Sequence, residues 1–286
     1  RLYAKTDSAR DAGTTAQLTP RERAVHAVEQ RFGATGVPSV PPTNLEWVAS
    51  RLFGDTVVAA QGVGKLYEFG NALLAKAHMR PTRSMKTNLS DADDEERCMV
   101  GAAFNVSGKD VCIYSLHLDH TSEELRVAQL DYVLRHVAEH SRGAPHLIAG
   151  DFNCLSSKLH YTPTQWRSIV AARSRAMWEP PKTAVYERMV AAGYVDVFQR
   201  ATADVAVAKR TNHTCWAKSR IDYVFASPNW PFQIRNGGAR VLNTDASDHL
   251  PVVVEFDLPP VAASGAAGGG GGGGAAVVEG FTETHS

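Results

Sequence analysis

The spacing of apolar and polar positions divides the chain into short strand-like runs and longer helical ones. TVVAA (56–60), NALLAK (71–76), MVGAAFNV (99–106) and VCIYSLHL (111–118) predict strands. From Ser122 to Glu139 the spacing turns helical, with Leu125, Ala128, Leu130, Val133, Leu134 and Val137 predicted to face inward. Pro145 leads into a strand at HLIAG (146–150), helices are predicted around 164–176 and 182–192, and RIDYVFA (220–226) and LPVVVEF (250–256) read as two more strands. Upstream, Thr19 before Pro20 and Glu22 opens a helix running to Phe32, and Asn44 caps another running to Leu52. Strands spread over the whole length and mixed with helices favour two stacked sheets flanked by helices over a strict βαβ repeat. There is no internal repeat.

The two ends differ from the middle. The Gly/Pro-rich stretch at 33–44 cannot sustain a helix or an interior strand, so it predicts a surface connection. The Gly-rich tract over 262–276 has nothing to bury, and 259–286 is expected to be a disordered tail. The expected division is therefore 1–45 as an N-terminal helix and variable loop, 46–258 as the folded domain, and 259–286 as the tail.

Composition narrows the class without choosing within it. Of 286 residues, 44% are hydrophobic and 21% charged, which excludes global disorder. Lys+Arg and Asp+Glu number 30 each, so the balance of charge gives no footprint for tight, sequence-independent binding to duplex DNA. No apolar run approaches the ~18–20 residues of a membrane helix. The four cysteines (Cys98, Cys112, Cys154 and Cys215) lie far apart with no CxxC pair, against a zinc ribbon or a disulfide scaffold and in keeping with a reducing compartment. Cys112, inside a strand-like run, reads as a small buried apolar residue. A monomeric, cytoplasmic protein is the expectation.

Four polar clusters sit at the ends of predicted strands. In Gly150-Asp151-Phe152-Asn153, alternation puts Asp151 and Asn153 on one side and Phe152 on the other. Adjacent hard oxygens suit Mg²⁺ or a phosphoryl group, although the tetrapeptide reads equally as a turn closing a strand. Ser247-Asp248-His249 sets a carboxylate beside an imidazole, able to serve as metal ligand and general base; such a triplet is also common loop polarity. Asp222 interrupts the apolar run RIDYVFA, where a carboxylate is costly unless paired, and a histidine is the economical partner; an exposed edge position would explain it as well. His117 shares a face with Ser115 and Asp119, which fits a satisfied core histidine or a functional one.

Taken in order, FGNALLAK (69–76), HLDH (117–120), LRVAQL (125–130), GDFN, RIDYVF and SDHLPV resemble the endonuclease/exonuclease/phosphatase superfamily, the deoxyribonuclease I-like phosphoesterases, over roughly 46–257. The segments around HLDH, RxxQ and AGDFN are most similar to a branch known from plants and protists. The resemblance implies an α/β four-layer sandwich: two mostly antiparallel sheets face to face, helices outside, and an active site at one rim. It implies Asp151, Asn153, Asp248 and His249 around Mg²⁺ or Mn²⁺, with Asp151 and Asn153 orienting the scissile phosphate and the attacking water. His249 paired with Asp222 would be the acid/base group and His117 a second donor to the phosphoryl oxygens. Whether Asp151 or His249 takes the proton from water stays open. The reaction expected is metal-assisted hydrolysis of a phosphodiester or phosphomonoester in a small molecule, lipid head group or nucleic acid. Thr214 and Trp216 read as rim packing, and Arg97, after the acidic run 91–96, as a surface residue.

One departure stands out. Relatives open with a strand carrying Asn and a second ending in Gln-Glu, whose Glu is the principal metal ligand. Here Glu29-Gln30 is reversed and on a predicted helix, and Glu46 is on another. The sequence therefore predicts a domain lacking about two N-terminal strands, with weak metal affinity and low activity, or a catalytically impaired binding member of the same fold.

Overall fold

The computed structural model describes residues 56–63, 70–90, 97–202, 206, 213–215, 217–245, 247–259 and 276–280. The predicted helices at 20–32 and 44–52, together with Glu29, Gln30, Glu46, the acidic run 91–96 and Trp216, lie outside these residues.

The strands are β1 (Thr56–Val63), β2 (Gly70–Lys76), β3 (Arg83–Asn88), β4 (Cys98–Val106), β5 (Lys109–His117), β6 (His146–Asp151), β7 (Val195–Asp196), β8 (Asp222–Ala226), β9 (Gln233–Val241), β10 (Val252–Asp257) and β11 (Ala276–Gly280). A six-stranded sheet runs β3-β4-β5-β6-β8-β7, antiparallel except for the parallel β5–β6 pair. Two smaller sheets, β1-β2 and β11-β10-β9, are antiparallel throughout. The helices are α1 (Glu123–Ser141), α2 (Pro163–Arg175), α3 (Ala184–Ala191) and α4 (Val197–Ala201).

Side-chain alternation divides the core into two. One face of the large sheet (Val100, Ala102, Val111, Leu147, Ala149 and Val224 among others) packs on Val252, Val254 and Phe256 of β10, with Leu73 and Ala75 of β2 against it. The other face, with Met99, Tyr114, Leu116, Ile148, Tyr223 and Phe225, packs on Leu130, Val133 and Val137 of α1 and Val185 and Met189 of α3. Each fully buried Val, Leu, Ile or Phe contributes about 1.5–3 kcal/mol, so both faces are needed to hold the sheet. The result is the mixed α/β sandwich the sequence predicts. Among the described residues, helices cover the six-stranded sheet on its outer side.

The helix signals in the sequence are realised locally. Ser122 caps α1 by accepting from Leu125 N, and Arg142 (φ 54°) ends the helix in the left-handed region before Gly143. Thr162 and Gln165 form a reciprocal capping box with Pro163 in the first turn of α2. The buried face of α1 differs from prediction. Leu125 and Ala128 are exposed, whereas Glu123, Arg126 and Gln129 are buried beside Leu130, Val133 and Val137. These polar side chains go in because each is satisfied. Arg126 Nε and Nη2 donate to Glu123 Oε2 at 3.0 and 2.9 Å, Nη2 also contacts Glu179, and Nη1 donates to the Asp119 carbonyl at 3.2 Å. Gln129 Oε1 accepts from Asp119 N at 2.7 Å. The RxxQ pattern is thus a brace for the loop that follows β5.

Besides the two-residue β7, three of the described strands escape the periodicity. β3 (RSMKTN) carries one large apolar residue, and β9 (QIRNGGARV) is interrupted by two glycines and two arginines. β11 pairs antiparallel with β10, Val252 opposite Gly280. That strand departs from the expectation that 259–286 is wholly a disordered tail: AVVEG is short and apolar, and an open edge of β10 gives it a ladder to join. All four cysteines are buried free thiols.

Candidate active site

Register brings the candidate residues together. On β6, Asp151 continues the Leu147, Ala149 side; on β8, Asp222 continues the Val224, Ala226 side; on β5, His117 continues the Val111, Ile113 side. All three therefore lie on the face that looks toward β10. Asp151 is the register partner of His117 across the parallel pair and of Asp222 across the antiparallel one. His249, two residues before the Pro251 that leads into β10, arrives from the facing sheet and forms an isolated bridge with Cys215.

Backbone features hold these positions. Gly150 has φ 137°, and a Cβ there would stand 1.9 Å from the Leu116 carbonyl oxygen, so only glycine lets β6 pass β5 this closely. Asp151 O accepts from Leu118 N and Phe152 N donates to Ile221 O, both at 2.9 Å. Phe152 turns into the helix-side core. Thr214, fully buried, accepts at Oγ1 from Ile221 N (3.1 Å) and Asp222 N (3.2 Å), and its carbonyl accepts from Leu250 N at 2.6 Å. One residue thereby ties the start of β8, through its side chain, to the His249 segment, through its carbonyl. The rim-packing expectation for Thr214 understates this tether.

His249 Nδ1 lies 3.0 Å from Asp222 Oδ2 and 3.2 Å from Oδ1, the carboxylate–imidazole pairing anticipated from Asp222's place in an apolar run. Asp151 Oδ2 is 3.9 Å from the same nitrogen and 3.4 Å from His117 Nε2. Ligand atoms of Asp151, Asp222 and His249 all fall within 4.8 Å of one another, and all three residues are buried. Burial would lower the His249 pKa, but the hydrogen bond and charge of Asp222, helped by Asp151, overcome it and raise the imidazole to about 9. Burial and then the neighbouring Asp222 charge push Asp151 up to about 7. Burial, with Arg97 next, holds His117 well below the ordinary histidine value.

The remaining predicted residues divide. Asn153 sits at φ 49°, donates from its backbone N to Asp151 Oδ1 at 2.7 Å and from Nδ2 to the Leu118 carbonyl at 3.0 Å, so it fixes the Asp151 rotamer and the β5 end. Asp248 is exposed and accepts from Ser247 Oγ at 3.3 Å; it stands outside the three-residue group. Arg97 corrects the surface expectation. It is 3% exposed and donates to His117 Nε2 and to His120 Nδ1, each at 2.9 Å. The sequence holds one signal for it, an arginine directly ahead of the apolar run CMVGAAF.

The donor chemistry fits a divalent cation: carboxylate oxygens from two adjacent strands with an imidazole beside them. Two carboxylates buried side by side repel, and a cation would relieve that repulsion.

A mixed α/β sandwich with acidic and imidazole groups converging at one rim is the deoxyribonuclease I-like class of fold. The chain belongs to the endonuclease/exonuclease/phosphatase family, whose sequence model matches residues 16–249. That match begins upstream of the boundary expected at residue 46. Solved structures similar to it include the mannosyl-6-phosphatase Bt3783 of Bacteroides thetaiotaomicron (TM-score 0.51, 17% identity, covering 74% of this chain and 80% of that one). The human Nocturnin catalytic domain with a bound sulfate anion is another (TM-score 0.53, 17% identity, 75% and 76% covered). A third is ANGEL2, a 2′,3′-cyclic phosphatase in complex with adenosine-2′,3′-vanadate (TM-score 0.51, 12% identity, 75% and 77% covered). At these identities the likeness is one of fold. No curated protein matches the sequence. Among the described residues, no helix is long and apolar enough to cross a membrane.

Proposed function

We propose that this protein hydrolyses phosphoester bonds with the help of a divalent cation, and that Asp151, Asp222 and His249 form the reacting centre. The observation that carries this reading is the convergence of those three buried side chains within 4.8 Å at the sheet rim. Asp151 and Asp222 would hold the cation, which would supply neutralisation of charge on the phosphoryl group and its leaving oxygen. In the protein itself, Asp222 orients the His249 ring and holds its proton, so at neutral pH His249 is the group able to give a proton to a leaving oxygen. Asp151, raised to about 7, is the group able to take one from water. Asn153 keeps the Asp151 carboxylate aimed into the rim. Names among the structural neighbours fit phosphate esters of sugars and nucleosides as the substrate class.

A purely binding role for the fold is less well supported. Three ionisable side chains buried together cost stability that an apolar rim would not, and chemistry gives them a reason to be there. The test is hydrolysis of nitrophenyl phosphodiester and phosphomonoester substrates with Mg²⁺, with Mn²⁺ and with chelator. Asp151→Asn and His249→Ala should each lower the rate about 10²–10⁴-fold. Equal rates in wild type, variants and chelated samples would overturn the proposal.

A further inference from the structure

Leu118 and Asp119, the residues that follow β5, have every backbone polar atom committed, and the commitments run two ways. Leu118 N donates to the Asp151 carbonyl at 2.9 Å, and the Leu118 carbonyl accepts from Asn153 Nδ2 at 3.0 Å. Asp119 N donates to Gln129 Oε1 at 2.7 Å, and the Asp119 carbonyl accepts from Arg126 Nη1 at 3.2 Å. Leu118 is thus tied to the end of β6, and Asp119 to α1. Since α1 packs on one face of the large sheet and the Asp151 side chain lies on the other, these two residues carry contact around the end of β5 from face to face.

We propose that Gln129 is a positioning residue: from α1 it holds the Leu118–Asp119 backbone, and through that backbone it holds the Asp151 carboxylate in the orientation that hydrolysis needs. The effect on rate rests on the hydrolase reading, whereas the coupling itself does not. Asn153 is the second link. Its backbone N donates to Asp151 Oδ1 at 2.7 Å while its side chain holds the Leu118 carbonyl. A shift of Leu118 therefore moves the main chain and the rotamer of Asp151 together. A displacement of about 1 Å at a reacting group can cost about 10²-fold in rate.

The surroundings leave no substitute for this acceptor. Asp119 is 5% and Gln129 8% exposed, so water is poorly placed to replace a lost bond. The Asp119 carboxylate is occupied with its own loop, accepting from Thr121 N and Ser122 N at 2.7 and 2.9 Å. Arg126 is held in turn by Glu123, so the helix side of the clamp is stiff. A carboxamide suits the position, because it supplies the acceptor without adding a carboxylate to a buried cluster that already holds Glu123 and Asp119.

The experiment uses the full chain, labelled with ¹⁵N and freed of metal by chelator, and reads amide hydrogen exchange at neutral pH by NMR. In wild type the Asp119 amide should be protected although it lies outside any strand or helix. An Asp119 amide exchanging as fast as an unbonded one overturns the proposal with no variant needed. Gln129→Met keeps the length of the side chain and removes the acceptor. It should speed exchange at Leu118 and Asn153 about tenfold or more. The Ser227 amide, bonded to the His146 carbonyl at the far end of β6, should keep its protection. Unchanged protection at Leu118 or Asn153 overturns the coupling, and so does an equal rise at all three amides, which would mean general loss of stability.

With Mg²⁺ and a nitrophenyl phosphoester, Gln129→Met should lower kcat about 10–100-fold with KM nearly constant. Gln129→Glu, which restores an acceptor oxygen at the same reach, should recover most of both kcat and protection. Val137→Ala is the control for stability alone: it empties part of the helix-side core from the same helix without touching the clamp, and should keep kcat within about twofold of wild type. Full kcat in Gln129→Met, an equal loss in Val137→Ala, or a rise in KM at constant kcat would each defeat the positioning role. Absence of hydrolysis in wild type would defeat the hydrolase reading instead, and the exchange rates would then decide the coupling by themselves.

Discussion

Asp151 and Asp222 are register partners at the ends of β6 and β8, and both carboxyls are buried on the same face of the sheet. Across an antiparallel pair such side chains stand close enough for like charges to repel. Only Asp222 has an imidazole in hydrogen-bond reach of both its oxygens. That asymmetry separates the two carboxylates into a histidine partner and a group that is hard to ionise.

The pairing predicts the behaviour of His249. With a folded value of about 9 against an ordinary 6.5, its pairing stabilises the fold fully below about pH 6.5, and that stabilisation is lost as pH rises through about 9. Asp222→Asn should move the His249 midpoint down toward the ordinary value, read by NMR titration of metal-free protein. It should also lower hydrolysis about 10²–10⁴-fold. A midpoint unmoved by the substitution would separate the two residues.

Asp151 carries the opposite sign. Its carboxyl, at about 7 instead of 3.8, imposes no penalty below about pH 4 and a full one above about pH 7. Asp151→Asn should flatten the fall in metal-free stability across that window and raise the melting temperature at neutral pH. Each kcal/mol relieved is worth about 2–4 °C for a domain of this size. Mg²⁺ or Mn²⁺ should raise the melting temperature of wild type and leave that of Asp151→Asn nearly unchanged. Equal cation effects on both would remove Asp151 from the cation site.

Gly150→Ala places a methyl 1.9 Å from the Leu116 carbonyl oxygen at a φ that side chains rarely adopt. Either the β5–β6 pair opens or Asp151 moves. Loss of soluble protein, or a stability drop of roughly 3 kcal/mol or more by urea unfolding, is the expected result. An alanine variant with wild-type stability would mean the strands pass differently.

Thr214→Val keeps the shape of the side chain and removes the acceptor for two buried amides. The loss should be about 1–3 kcal/mol, with a fall in activity from the displaced Asp222, while Thr214→Ser should retain most of both. Valine and serine variants that behave alike would dismiss the tether.

The buried Arg220–Asp196 pair (Nη1–Oδ1 3.0 Å, Nη2–Oδ2 2.7 Å) offers a contrast. Arg220 also lies over the Tyr223 ring at 4.5 Å, and Asp196 accepts from Tyr186 and caps α4. Arg220→Met should destabilise by about 3–5 kcal/mol by leaving Asp196 buried without its cation. An Arg220→Met protein as stable as wild type in denaturant would contradict this.

Among the described residues, most strands and three of the four helices were legible because each buries apolar residues at its own period; HLIAG and LPVVVEF needed nothing else. Asp222 was legible for the converse reason, as a charge in an apolar run. β3 and β9 were not, because their place in the sheets comes from backbone pairing with β4 and β10 and hardly from their side chains. Arg97 was read as a surface residue and the buried Arg126 was not singled out, because burial of a cation depends on acceptors from distant segments, which local spacing does not show.

The sequence by itself determined the kinds of element, their order, and the residue types able to bind a cation or move a proton. Tertiary structure decided which of those residues meet. Parallel pairing of β5 with β6 and antiparallel pairing of β6 with β8 set His117, Asp151 and Asp222 side by side, and the facing sheet brought in His249. Asp248, its neighbour in the chain, was left in solvent. The physical reason is that register and sheet-on-sheet packing are settled by contacts among residues scores of positions apart, whereas periodicity reports only which way a side chain faces along its own strand or helix.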